Sequence, residues 1–415
     1  MISAKDRVIE SLDERVSILN GRLEQSMQVF LKELIERGSY TYDDPTSISI
    51  IPRIISRDEH RRIGKMCTDL TRAAFYRLSE YLEDRTKIPG SKLNDFLKTL
   101  PIGQRVLTGS ARYDFLKQGE DYKLVEMNFV NIGALRECTE SSAAILGLFP
   151  DLQDDFYYLS PVRFMRKRLL EQEINSAIIL TRDDYSDQPS DAPDRPYIDE
   201  KTTTIDTAIV HERDYKNIGF KNGKLVYQGR AYKGVIPKHL SGSNGAEDPI
   251  YKYKDFLLNI LNSDVHVFDN WLAMFMEDKD LRFLSRQDPR VAQFLPEIVD
   301  VTGFNGRGGL SDWVLKIRDT HCGRGVIISP NRADLVDDAI LQKRVYANRH
   351  PVNTVHGEVG NGIYDTGVHV SYSYDIEKRQ LTVCEVAGYL TRFSLNSDIV
   401  NISQGGGLIP TLIEK

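Results

Sequence analysis

The chain has 415 residues, 41% hydrophobic and 27% charged, with a formal net charge of -6. That length has room for more than one compact unit, since domains cluster near ~100–150 residues. Acids and bases are mixed along it, which excludes the basic tract that nucleic acid or an anionic membrane would favour, and no apolar run reaches the ~18 residues of a membrane helix.

Residues 1–100 read mostly as helices. Leu12, Val16, Leu19 and Leu23 recur at helical spacing, as do Leu70, Ala73, Ala74, Leu78 and Leu82. The charged, helix-patterned opening MISAKDRVIESLDERVSILN is unlike a secretory signal. Cys67, Cys138, Cys322 and Cys384 form no CxxC, which argues for a reduced, cytoplasmic protein without a zinc site.

A β-hairpin is expected next, from VLTGSARYDF to YKLVEMNF, with Gly119-Glu120-Asp121 as the turn. A helical stretch near 136–147 leads to Pro150. From about 160 to 270 short strands alternate with helices. AIIL (177–180) and LVYQGRAYKGVIP (225–237) are the clearest strands, the latter with a hairpin signal at Gly229-Arg230. Polar loops are expected over 183–204 and 241–249, and a helical segment over about 250–285. Then come strand WVLK (313–316), a glycine loop, strand VIIS (326–329) and a helix near 333–340. A second hairpin pairs VHVSYSY (368–374) with LTVCEV (381–386), before NISQGGGLIPTLI.

The first hairpin carries the chemistry. Side chains two apart on a strand share a face, so Arg112 points with Asp114 and Glu126 with Asn128. A hairpin symmetric about Glu120 sets Asp114 opposite Glu126 and Arg112 opposite Asn128, and all four converge. Asp114, Glu126 and Asn128 offer the hard oxygen ligands that magnesium takes beside nucleotide phosphates, and Arg112 suits phosphoryl charge. The bland alternative is a polar face meeting water.

Lys316 ends a strand before Gly323-Arg324-Gly325, an arrangement suited to phosphate: an ammonium plus approachable backbone amides. It is neither a Walker A loop nor a dinucleotide fingerprint, and alone those glycines read as a tight turn. Lys279 in MEDKDLRFL reads as one lysine on a charged helix face. Gln342 follows the apolar pair Ile340-Leu341, and is either a hinge residue beside an adenine ring or a surface glutamine. Arg392 lies in GYLTRFS. Gly405, Gly406 and Gly407 permit backbone approach to a ligand or make a flexible turn. Of the histidines, only His321 falls in a motif; His211, His239, His266, His350, His356 and His369 read as structural or surface residues.

Taken in order, ARYDF…KLVEMNF, DKDLRFL, WVLKIRDTHCGRGV and AGYLTRFS…NISQGGGLIP resemble the circularly permuted ATP-grasp ligases, similar to the synthetase domain of glutathionylspermidine synthase. The resemblance spans residues 111–410. It implies an α/β (α+β) ATP-grasp fold in permuted order, laid out as a helical region (1–100), a metal-binding hairpin segment (101–149), an α/β pre-ATP-grasp-like domain (150–270), a nucleotide lid (271–350) and a return to the core (351–415). It implies ATP as co-substrate and magnesium, as two ions, held by Asp114, Glu126 and Asn128. Lys279 and Lys316 would meet ATP phosphates, Gly323, Arg324 and Gly325 close over the nucleotide, and Gln342 lie near adenine. Arg112 would contact the acyl-phosphate, with Arg392 and Gly405, Gly406 and Gly407 as further substrate or phosphate contacts. The chain departs from the pattern at Ile317, where proline is usual, at His321-Cys322 and at Lys343.

The implied reaction joins a small-molecule carboxylate, a peptide-like one being compatible, to an amine, with no nucleic-acid or membrane partner. An ATP-grasp-type kinase and a catalytically inactive nucleotide-binding protein are the alternatives. On this reading, replacing Asp114 or Glu126 by alanine abolishes turnover and leaves the fold intact.

Overall fold

Ser56 accepts a hydrogen bond from the Glu59 amide at 3.1 Å and so caps the long helix Arg57–Glu83, with Asp58 and Glu59 favourably placed in its first turn. The computed structural model containing this helix describes residues 47–87, 92–130, 132, 135–181, 205–237, 252–304, 309–318, 325–354, 358–400 and 406–415. The helical expectations over 1–46 and the loops at 183–204 and 241–249 lie outside these residues.

The helix buries Ile63, Cys67, Leu70, Ala74 and Leu78 against a seven-stranded sheet. Its strands run in the order Ser47–Ile48, Gly407–Ile409, Gln380–Ser394, Val359–Asp375, Val106–Gln118, Asp121–Asn128, with Arg349–Asn353 also pairing to Val359–Asp375. The alternation in VHVSYSY decides what each face holds. Val368, Val370, Tyr372 and Tyr374 join the core under the helix, where Phe75 stacks on Tyr374 at 4.3 Å and Tyr113 bonds Thr71 at 2.7 Å. Asp365, Gly367, His369, Ser371 and Ser373 take the opposite face, as do Asp114, Arg112, Ser110 and Thr108 on the neighbouring strand.

A second, wholly parallel sheet has the order His266–Val267, Gly234–Pro237, Ser176–Thr181, Asp206–His211. Helix Pro161–Glu171 packs on it through Val162, Met165 and Leu169. A bridge between Thr108 and Phe268 joins it to the large sheet. A third, antiparallel sheet has the order Ile298–Asp300, Ala339–Lys343, Trp313–Ile317, Val326–Ile328. Trp313, Leu315, Ala339 and Leu341 form its private core on one face. The architecture is mixed α/β.

Four expectations are corrected. Residues 47–55 are strands: Ser47–Ile48 runs parallel to Gly407–Ile409, and Arg53–Ile55 parallel to Thr411–Glu414. The 250–285 segment is broken. Helix Lys254–Leu261 gives way to strand His266–Val267, Asp269 adopts φ +55°, and Asn270 caps a short 3-10 helix, Trp271–Met276. No helix forms over 333–340. Asn331 and Asp334 cap a single 3-10 turn, and Ala339–Lys343 is drawn into the sheet beside Trp313–Ile317. The turn expected at Gly229-Arg230 falls one residue earlier, at Gln228-Gly229, both with positive φ.

Candidate active site

The hairpin register has Asp114 opposite Glu126 and Arg112 opposite Asn128. It reaches those pairs by an unforeseen route. The turn is tighter than expected: Gln118 faces Asp121 across a two-residue loop, Gly119-Glu120. An unbroken ladder from that turn would set Asp114 against Val125. A bulge between Asp114 and Phe115 absorbs Val125 as an extra residue and restores the convergent pairs.

The polar face does not simply meet water. Asp114 is 1% exposed. It accepts from Arg112 Nε at 2.8 Å and Nη2 at 3.0 Å, and pairs with Arg392 Nη2 at 3.1 Å. Burial would raise its pKa, but Arg112 and Arg392 hold it well below the usual carboxylate range. Arg392 also bonds buried Asp365, directly opposite it in the ladder. Burial pushes Asp365 up to about 6 despite Arg392, and the charge of Asp114 adds to the rise. Gly367 lies opposite Asp114 on the next strand, where a Cβ would come within 3.0 Å of Asp114 Oδ1 and 3.2 Å of Arg112 Cδ. His369, fully buried, lies opposite Arg112.

Glu126 is half-buried and makes no hydrogen bond or ion pair among the described residues, and buried Asn128 Nδ2 has no partner there either. Lys316 lies across from this edge, with its Nζ 2.5 Å from the Val125 carbonyl oxygen. Burial lowers Lys316 to about 8, while the charges of Glu126 and Asp114 oppose the fall. Lys279 is not on a helix. It sits between Trp271–Met276 and Arg282–Gln287 and donates to the Ile317 carbonyl at 2.8 Å. Gln342 and Lys316 share one face of the antiparallel sheet, Gln342 opposite Val314 and Lys316 opposite Ile340 and Val326. Gln342 is 2% exposed, so it is not a surface residue, and its Oε1 has no partner among the described residues. Val314, Val326 and Ile328 leave a half-buried apolar strip beside it.

Gly325, at φ +68°, is the turn residue just before strand Val326–Ile328, and its carbonyl accepts from the Ile317 amide at 3.0 Å. Gly323, Arg324 and Gly405 lie outside the described residues. Gly406 is buried. Gly407 is a correction: it is a strand residue packed shut, where a Cβ would fall 2.3 Å from Ser47 O and 2.4 Å from the Phe393 ring. Strand packing requires its smallness, in place of the flexible turn.

Two carboxylates escaped the sequence reading. Asp365 was signalled only by period-two spacing, two residues before Gly367 and four before His369. Glu277, two before Lys279, accepts from the amides of Phe129 at 2.6 Å and Val130 at 2.8 Å. Burial pushes it up to about 7 against those bonds, with the charge of Glu126 adding. Among the described residues no three His, Cys, Asp or Glu side chains are grouped to hold a metal ion by themselves. Nor is any helix there long and apolar enough to cross a membrane.

Neither a family model nor a curated protein matches the sequence. Among solved structures the chain is similar to a glutathione synthetase-like effector from Globodera pallida in its apo form, with a TM-score of 0.67 and 12% identity over 94% of this chain and 96% of that one. At that identity the likeness is one of fold alone, a shared arrangement of mixed α/β elements.

Proposed function

We propose that this protein is an ATP-dependent carboxylate–amine ligase of the ATP-grasp type. The observation that carries the reading is the meeting of Lys316, from the antiparallel sheet, with the hairpin edge that bears Glu126 and Asn128, next to the Arg112 strand. The fold likeness and the ATP-grasp resemblance of the sequence support it.

The donor set suits magnesium, which takes one or two carboxylates and completes its shell with phosphate oxygens and water. Glu126 and Asn128 are the open ligands. Both oxygens of Asp114 are engaged by arginines, so it would serve first to orient Arg112. Bound magnesium would supply charge neutralisation at the phosphates. Lys316 and Lys279 would orient those phosphates, exchanging carbonyl partners for phosphate oxygens, and the strip beside Gln342 would take the base.

In the reaction, an oxygen of the substrate carboxylate bonds the γ-phosphorus as the bond to ADP breaks. Arg112 faces the charge that develops on the acyl-phosphate. The amine nitrogen then bonds the acyl carbon, the carbon–oxygen bond to phosphate breaks, and the amine proton leaves to solvent or phosphate. The test is an ADP-release screen over paired acids and amines, including peptide-like acids, with mass detection. An amide-linked product formed with ADP is expected. A stable phosphorylated product, or no ADP release across the panel, would count against a ligase.

A further inference from the structure

The 277–281 stretch is neither helix nor strand, and its polar side chains reach different elements. Asp278 accepts from Arg77 of the long helix at 3.2 Å. Lys279 reaches the Ile317 carbonyl, next to Lys316. Asp280 pairs with Arg282 at 2.6 Å and Arg318 at 3.5 Å. Glu277 turns to the hairpin, where one carboxyl oxygen receives the amides of Phe129 and Val130. Those two residues directly follow Asn128, at the end of strand Asp121–Asn128.

We propose that Glu277 is a positioning residue for the cation-binding edge of the hairpin, a role that rests on the ligase reading above. Phe129 and Val130 are buried, and their amides need an acceptor once the ladder has ended. Hydrogen bonds to a carboxylate are the strong kind, so Glu277 fixes the backbone from which Asn128 projects. It thereby sets how the Asn128 carboxamide and the Glu126 carboxylate face one ion. Groups that orient ligands in this way typically govern about 10–100-fold in metal affinity.

The probe is Mn2+ titrated in saturating ADP and read by electron paramagnetic resonance. Metal-free ADP affinity is measured by calorimetry on the same proteins. Glu277→Gln keeps a carbonyl acceptor for both amides, and Glu277→Ala keeps none. Glu277→Ala is expected to weaken Mn2+ binding by about tenfold or more and Glu277→Gln by less than about threefold. Metal-free ADP affinity should hold in both. Unchanged Mn2+ binding in Glu277→Ala overturns the inference, as does a loss in Glu277→Gln equal to that in Glu277→Ala. A matching loss of metal-free ADP affinity does the same, because it marks a general disturbance. Failure of the unaltered protein to bind ADP and Mn2+ would instead remove the ligase reading, and this role with it.

Discussion

Lys316 Nζ lies 2.5 Å from the carbonyl oxygen of Val125, the extra residue of the hairpin bulge. The irregularity that restores the Asp114–Glu126 register thus also presents the carbonyl that holds the lysine. Removing the amine leaves a carbonyl to find another donor, at a cost of about 1–3 kcal/mol if it stays dry.

Lys316 should make nucleotide binding pH-dependent. Burial holds its pKa at about 8, so below that pH it is a cation that attracts phosphate, and above it the charge is lost. ADP affinity is expected to be full at pH 7 and to fall as pH rises through 8, by up to roughly tenfold per unit. Calorimetry across that range checks it, with Lys316→Arg as a charged reference whose profile stays flat. An equally flat profile for the unaltered protein would remove Lys316 from the phosphate site.

Asp114 and Glu126 should part company on mutation, against the expectation that alanine at either leaves the fold intact. Asp114→Ala strips the counter-charge from Arg112 and Arg392 and should cost about 3–5 kcal/mol. Glu126→Ala breaks no bond among the described residues and should stay within about 0.5 kcal/mol while abolishing turnover. Urea unfolding of the two variants beside their ADP-release rates decides the point.

Gly367→Ala tests the spacing of the arginine–aspartate pair. The new methyl would stand 3.0 Å from Asp114 Oδ1 and 3.3 Å from Leu390 Cβ, so one neighbour must shift. A loss of about 1–3 kcal/mol is expected, with turnover falling further than stability alone explains. A variant with native melting temperature and native rate would show that the pair tolerates displacement.

His266 should shape the acid limb of stability. It bonds Thr108 at 2.5 Å, and burial lowers its pKa to about 4. Between pH 4 and 6.5 the unfolded chain then binds more protons than the folded one. Stability therefore rises with pH across that window and is lost as pH falls through it. His266→Gln is expected to flatten the melting-temperature profile there, and a slope unchanged by the substitution would contradict this.

The four-residue hairpin cluster was legible because period-two spacing and a single turn are local facts. The bulge was not, since nothing in LVEMN marks Val125 as surplus; the tighter turn and the need for converging polar groups reveal it only together. Asp365 and His369 were hidden for a different reason. Their partners depend on Val359–Asp375 lying beside Val106–Gln118, a pairing between segments some 250 residues apart. Residues 333–340 read as helix because their composition tolerates one, and the neighbouring Lys316 strand draws Ala339 and Ile340 into the sheet instead. Lys279 was found by motif, whereas its placement off any helix goes with the partners that Glu277, Asp278 and Lys279 each find on a different element.

Strand Gly407–Ile409 inserts between Ser47–Ile48 and Gln380–Ser394, and Thr411–Glu414 between Arg53–Ile55 and Phe156–Tyr157. Both early strands are therefore parallel to partners made more than 350 residues later. During synthesis, residues 47–55 emerge long before the strands that satisfy them and must wait with open edges. Closing such distant pairs is slow, and the waiting edges are where a nascent chain is exposed to wrong partners. The consequence falls on the ribosome rather than on the candidate site: the two sheets are completed only after the strands over 407–414 are free, and a chaperone has its longest opportunity at the Ser47–Ile55 edges.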